Sequence, residues 1–237
     1  MFKYLSVGVL ALLLPACGVL KVRPAAPPPK PEESISRPGF PPGRVYHIDE
    51  NQSELRILVY RAGPLAHFGH NHVIVNHAVR GAVNLAEVPG DSVFWLTVPV
   101  AGFVVDDAQA RREEGADFAA DVPDSAKSGT LHNMLSAALL NADEFPVIAI
   151  RSVAGSVARG GSGDGALTAT VAVSVAGHES TVDVPLTLHV DARRLSAAGS
   201  LEIRQSALGL TPFSLMLGAL QVQDAMTIKF KFLAVPD

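Results

Sequence analysis

From Tyr46 onward the chain is a succession of short runs in which apolar and polar positions alternate, separated by Gly, Pro, Asn and Asp. Eight such runs stand out: YHIDENQSELRILVYRA from Tyr46, HVIVNHAVRGAVNL from His72, SVFWLTVPV from Ser92, FPVIAIRSVAGSV from Phe145, ALTATVAVSVAG from Ala166, STVDVPLTLHV from Ser180, LSAAGSLEIRQSAL from Leu195 and AMTIKFKFLAV from Ala225. They are rich in Val, Ile, Thr and Leu, which suit a pleated surface. Their period is two: Leu186, Leu188 and Val190 fall on one side, and Thr187, His189 and Asp191 on the other, as in strands with one face buried. AGHES at 176–180 and RGGSGDG at 159–165 supply turn residues. Between Asp106 and Glu144 the rhythm changes. Leu131, Met134, Leu135, Ala138 and Leu139 recur at helical spacing, with Ser128 or Thr130 as candidate caps and Pro146 as a stop. RREE at 111–114 reads as an exposed charged face.

The pattern therefore predicts an all-β domain with one helical insertion. Eight antiparallel strands can close into an up-and-down barrel wide enough for one small elongated ligand. A two-sheet sandwich with a filled core satisfies the same strand count.

The N-terminal segment has a different character. Residues 1–16 carry Lys3, an apolar run from Leu5 to Leu14 and small residues before Cys17, the layout of a secretory leader too short to span a bilayer as a lasting helix. LPAC at 14–17 resembles a bacterial lipobox, in which the cysteine is acylated and becomes the new N-terminus. Cys17 is the single cysteine of the chain, which leaves no intramolecular disulfide framework. Gly18, in place of a retention aspartate, points to an outer-membrane lipoprotein facing the periplasm. Residues 17–43 then form a tether: eight prolines fall in 23–43 without apolar periodicity, and such a segment reaches up to about 60 Å at roughly 3 Å per residue. Residues 44–237 remain as one domain. The net charge is −4, and loss of the leader removes Lys3 and moves it to −5. With no basic run, nothing points to a nucleic acid.

Candidate chemistry gathers in LAHFGHNHVIV, residues 65–75, where His67, His70 and His72 lie within six positions and His77 follows. On a strand, His70 and His72 share a face, and His67 can close over them from the preceding turn. Three imidazoles can hold Zn²⁺ or Cu²⁺ with a position left open, or bind haem; they can equally hydrogen-bond a ligand or sit solvated. His77 has the opposite parity. His178 and Glu179 lie in a turn and read as solvated. No nucleophile elbow or paired-carboxylate motif stands out, so the sequence does not read as an enzyme.

In their order along the chain, the runs resemble the YceI-like family of periplasmic proteins. YHIDENQSELRILVYRAG is similar to that family's first strand and VRGAVNL, with Gly81, to its second; ADEFPVIAIRSV, ALTATVAVSVAGHESTVDVPLTLHV and GSLEIRQSALGLTPF with LQVQDAMTIKFKFLAV resemble its later ones. The resemblance covers about residues 45–235. It implies a lipocalin-like barrel and, as partner, an apolar isoprenoid-type lipid or quinone, bound without catalysis. If such a chain is bound, Phe68, Trp95, Phe103, Phe213 and Met216 are the large residues expected to line its pocket. The alternative is a metal- or haem-binding envelope protein built on His67, His70 and His72. A homodimer is compatible with either.

Overall fold

The computed structural model of the chain describes residues 42–159 and 165–237. The leader, Cys17, the tether up to residue 41 and the glycine-rich connection at 160–164 lie outside the described residues. The strands are β1 (Arg44–Ile48), β2 (Glu54–Ala62), β3 (His72–Asn76), β4 (Arg80–Leu85), β5 (Val93–Pro99), β6 (Phe103–Val105), β7 (Val147–Arg159), β8 (Ala166–Val175), β9 (His178–Val190), β10 (Leu195–Arg204), β11 (Ser214–Leu215) and β12 (Leu220–Pro236). Two helices, α1 (Ala108–Glu113) and α2 (Asp124–Leu135), lie between β6 and β7.

Twelve strands arise from eight runs because two runs are broken in the middle and the short β6 and β11 lie outside the runs. A 3₁₀ turn at Glu50–Gln52 divides β1 from β2, with the Asp49 side chain accepting from the Asn51 amide at 3.0 Å. Residues 77–79 divide β3 from β4, and a 3₁₀ turn at Val100–Gly102 divides β5 from β6. Each broken pair fills one position of a ring. β12 pairs with β10 along one edge and with β2 and then β1 along the other. From there β1–β4, β2–β3, β4–β5, β3–β6, β5–β7, β7–β8, β8–β9 and β9–β10 complete an antiparallel circuit. The result is a closed eight-position barrel, not a sandwich, and closure removes the unpaired edges that a sheet would expose. The short β11 pairs only with the start of β12. Gly81, at φ +144°, permits the tight β4–β5 approach: a Cβ there would fall on the carbonyl oxygen of Trp95.

The two ends of the barrel are built differently. At the end where β1 begins and β12 finishes, Tyr46, Leu195 and Ala234 are buried and pack with Ile48, Val83, Leu85 and Leu188 to form a floor. At the other end lies the helical insertion. α2 turns Met134 into the barrel, joined by Leu131, Leu135, Leu139 and Leu140. α1 and the 3₁₀ turn at Ala116–Phe118 wrap the outer face of β2 and β3, burying Ala110 and Phe118 against Leu58, Val73 and Val75.

Two expectations fail in the insertion. Asp124 opens α2, four residues before Ser128, so neither Ser128 nor Thr130 caps it; an acid in the first turn suits the helix dipole. RREE is not an exposed face either, since Arg111 is buried and only Arg112 and Glu113 are exposed. Glu114 and Glu113 accept from Arg56 of β2 at 2.8 and 2.9 Å, and Lys229 of β12 also pairs with Glu114. Burial raises the Glu114 carboxyl, but the hydrogen bonds from Lys229 and Arg56 outweigh it and hold it below the usual range. This network pins α1 to the barrel wall.

Candidate functional site

Inside the barrel is a cavity of about 1050 Å³, at the upper end of the roughly 300–1,000 Å³ typical of small-molecule pockets. Its walls are side chains from alternate strand positions, among them Ile57, Ile150, Val173, Leu201, Ile228 and Phe230. These inward residues are only half-buried, because they face open volume and not one another. The solvent-exposed members of the lining, Arg61, Asn133, Ala138, Thr211 and Ser214, all lie at the α2 end. Among the described residues, the exposed part of the lining thus marks a mouth beside α2, with Tyr46 at the opposite end.

A polar cluster sits at that mouth. His72 is the first residue of β3, and Asp106 follows β6 directly. Asp106 adopts φ +57°, a left-handed conformation that aspartate tolerates better than most residues. The turn is fixed by its N–H donating to the Val73 carbonyl at 2.7 Å. The Asp106 carboxylate then accepts from the Val73 amide at 3.0 Å, from His72 Nδ1 at 2.6 Å and from the Arg111 guanidinium. Arg111 also donates to the Asn71 and Ala120 carbonyls, each at 2.8 Å. Burial raises the Asp106 carboxyl, but the hydrogen bonds from His72, Val73 and Arg111 more than offset it, and the group stays ionised well into acid.

The orientation of His72 follows. With Nδ1 directed at Asp106, the ring turns its Nε2 toward Thr130 Oγ1 on α2, 3.3 Å away at the edge of the cavity. The His70 ring lies 6.0 Å from that of His72 and also lines the cavity. Desolvation, reinforced by the neighbouring His72, pushes its pKa below the ordinary histidine value, so it is neutral at pH 7. The mouth is polar, and among its described lining residues the cation is Arg61, which donates to the Gly69 carbonyl at 2.7 Å.

The residues expected from the sequence divide. Phe103 and Phe213 line the cavity. Trp95 does not: Phe94 and Leu96 take the inward positions of β5, which leaves Trp95 on the outer face. Phe68 and Met216 are exposed on loops beside the mouth, outside the lining. His67, His70 and His72 do not converge. A 3₁₀ turn at Ala66–Phe68 leaves His67 exposed, with its ring 4.0 Å from Phe68, and both ring nitrogens of His72 face protein partners. Among the described residues no three His, Cys, Asp or Glu side chains are placed to share a metal ion. His178 and Glu179 are exposed but open β9 instead of lying in the turn, which falls at residues 176–177, and Glu179 accepts from Arg151 at 2.9 Å. Sequence reasoning missed Asp106, Arg111 and Thr130. The available signal was an aspartate directly after the apolar FVV strand, with an arginine five residues on.

A family model for the YceI-like domain matches residues 46–234. Among solved structures, the chain is similar to BcnA of Burkholderia cenocepacia, with 17% identity and a TM-score of 0.58 over 79% of this chain and 99% of that one. It is also similar to a polyisoprenoid binding domain from Saccharophagus degradans implicated in plant cell wall breakdown, with 12% identity and a TM-score of 0.54 over 81% of this chain and 98% of that one. Both likenesses concern the fold. No curated protein sequence matches the chain.

Proposed function

Because the chain belongs to the YceI-like domain family, we propose that its barrel holds an isoprenoid-type lipid or quinone, tail toward the Tyr46 floor and head group at His70, His72 and Thr130. The observation that carries this reading is an apolar cavity of about 1050 Å³ whose exposed lining residues, and most of whose polar groups, gather at the α2 end. Burial supplies the affinity: at about 0.8 kcal/mol per methylene, ten buried carbons contribute roughly 8 kcal/mol before the losses of association. The likeness to the polyisoprenoid binding domain of Saccharophagus degradans supports the ligand class.

The mouth favours an uncharged head. A phosphate or pyrophosphate would bring two or more charges to a site where Arg61 is the cation and His70 resists protonation. A quinone or alcohol oxygen asks only for the hydrogen bonds that His72, Thr130 and His70 can exchange. The same cluster argues for binding without catalysis. Thr130, His72 and Asp106 have the connectivity of a hydrolase relay, but Asp106 is already neutralised by Arg111, so it offers little to a developing imidazolium. The leader-like start, Cys17 and the proline-rich segment support a lipid-anchored protein of the cell envelope, held at the outer membrane.

Native mass spectrometry of residues 44–237, taken from a bacterial periplasm without detergent or chelator, tests this. A bound mass of several hundred daltons that fragments in five-carbon units is expected. A protein that is empty, or that carries a metal or haem mass lost on changing His70 and His72, would overturn it.

A further inference from the structure

The rim of the mouth differs in chemistry from the rest of the surface. Three segments supply much of it: 62–71 between β2 and β3, 128–142 in and after α2, and 205–223 between β10 and β12. None contains Asp, Glu, Lys or Arg, in a chain that is 18% charged, so these segments stand apart from an ordinary solvated surface. Within them Phe68, Leu215, Met216 and Leu217 are exposed, the last completely.

That exposure is built into the backbone. Met216 and Leu217 sit at φ +50° and +56°, left-handed values that cost energy in residues other than glycine and persist only where the surroundings impose them. The Ala219 N–H donates to the Met216 carbonyl at 3.2 Å, closing the turn. The Leu65 N–H donates to the Ala219 carbonyl at 2.8 Å, tying the Phe68 loop to it. The apolar surface is also continuous with the interior, since Phe213 and Ser214 line the cavity just before Leu215 leaves it.

We propose that this lip is a bilayer-insertion surface, through which the barrel sets its mouth against the acyl region of a membrane and exchanges its ligand without passing it through water. The proposal rests on the lipid reading of the cavity. Exposed apolar residues on a fixed scaffold, at an entrance lined by apolar residues, are what insertion into hydrocarbon requires. Three uncharged segments with Arg61 as the cation beside them suit a zwitterionic bilayer, and the net charge of −4 opposes an anionic one. The described chain enters the barrel at the floor end, where β1 begins at Arg44, opposite the lip.

The test uses the full chain with phosphatidylcholine vesicles brominated along their acyl chains, and reads tryptophan quenching above that of the parent protein. Phe68→Trp places a reporter in the lip, and Val190→Trp places one on an exposed position at the floor end. Quenching of the Phe68→Trp signal by about half or more, with Val190→Trp unaffected and no dependence on salt, is expected for insertion into the acyl region. Equal quenching at the two positions, or none, overturns the proposal. Adding Leu217→Asp to Phe68→Trp is expected to bring quenching down to the Val190→Trp level. Aspartate accepts the left-handed backbone better than leucine, and an unchanged bound mass shows that the double variant is folded. If Phe68→Trp is unquenched and the chain is a dimer that Leu217→Asp separates, the lip belongs to a second copy and the proposal fails. An empty cavity beside a quenched Phe68→Trp removes the lipid reading and leaves the lip.

Discussion

The two ends of the barrel make opposite use of the same strands. At the floor, Tyr46, Leu195 and Ala234 are at most 2% exposed, and the loops beside them are charged: Glu87 and Asp91 between β4 and β5, Asp191, Arg193 and Arg194 between β9 and β10. At the mouth, the interior is left open, three rim segments are uncharged, and the buried charges sit inside the cluster of His72, Asp106 and Arg111. The floor follows the usual arrangement of a soluble domain, apolar within and charged without; the mouth departs from it. Such a departure at one end of a regular barrel fits the proposed entry of a ligand there, and it implies that substitutions at the floor should read out as stability and those at the mouth as binding.

The largest effect should come from the floor. Tyr46→Ala removes a side chain that is 1% exposed and should cost about 3–5 kcal/mol, the range for truncating a buried aromatic. Urea unfolding measures it, and a loss under 1 kcal/mol would show that the floor is not packed as described. Asp106→Asn comes next. It leaves Arg111 without its buried anion, and the amide can no longer accept from all of its present donors; about 1–3 kcal/mol is expected. The same substitution frees His72 to rotate or change tautomer, so ligand retention in native mass spectrometry should fall together with stability. Stability lost with retention intact would separate the cluster from binding.

How far the sequence anticipates this contrast depends on periodicity. The eight alternating runs map onto the eight positions of the barrel, because a period of two carries the inward and outward sense of every regular strand residue. The interruption at 50–52 was not legible, since a 3₁₀ turn inside an alternating run barely disturbs its composition, and β6 at 103–105 was too short to show a period beyond the run that ends at Val100. Hydrophobic size misled at Trp95, whose parity places it on the outer face, and at Phe68 and Met216, whose loops carry no parity at all. The polar cluster was hardest to foresee. Arg111 looks solvated within RREE, and its burial depends on Asp106, which the left-handed turn after β6 directs back to it. The histidine run drew attention to the right place with the wrong partners: His72 is engaged by Asp106 and Thr130, and not by His67.

Acid should weaken the mouth in two stages. His70 has a lowered pKa in the folded state, so the unfolded chain takes up the proton first, and stability declines as pH falls below about 6.5. Asp106 is also lowered; its contribution is present above about 3.9, the unfolded value, and is lost as pH drops through the folded one. Thermal melts at pH 7, 5 and 3 should show a small loss and then a steeper one. His70→Asn should abolish the first and leave the second, and Asp106→Asn should leave the first and reduce the second to the part carried by Glu114, whose carboxyl is also lowered. A melt that changes equally in both variants would mean that the decline arises elsewhere.

The smallest change in stability should accompany a complete change in binding. Val182 of β9 lines the cavity and is only half-buried although it points inward. In a filled core, Val182→Phe would force its neighbours apart and cost about 1–3 kcal/mol. Here the added ring projects into open volume, where it gains contacts without displacing any, so the urea midpoint should stay within about 0.5 kcal/mol of the parent. The ring takes the space that the tail of a ligand needs, and the bound mass should disappear. Full destabilisation by Val182→Phe would mean that the interior is already packed, which would remove the distinction between floor and mouth. A stable variant that still carries its ligand would place the tail elsewhere in the barrel. A stable and empty one would show that the residues toward the mouth are spared from packing so that a guest can complete the core.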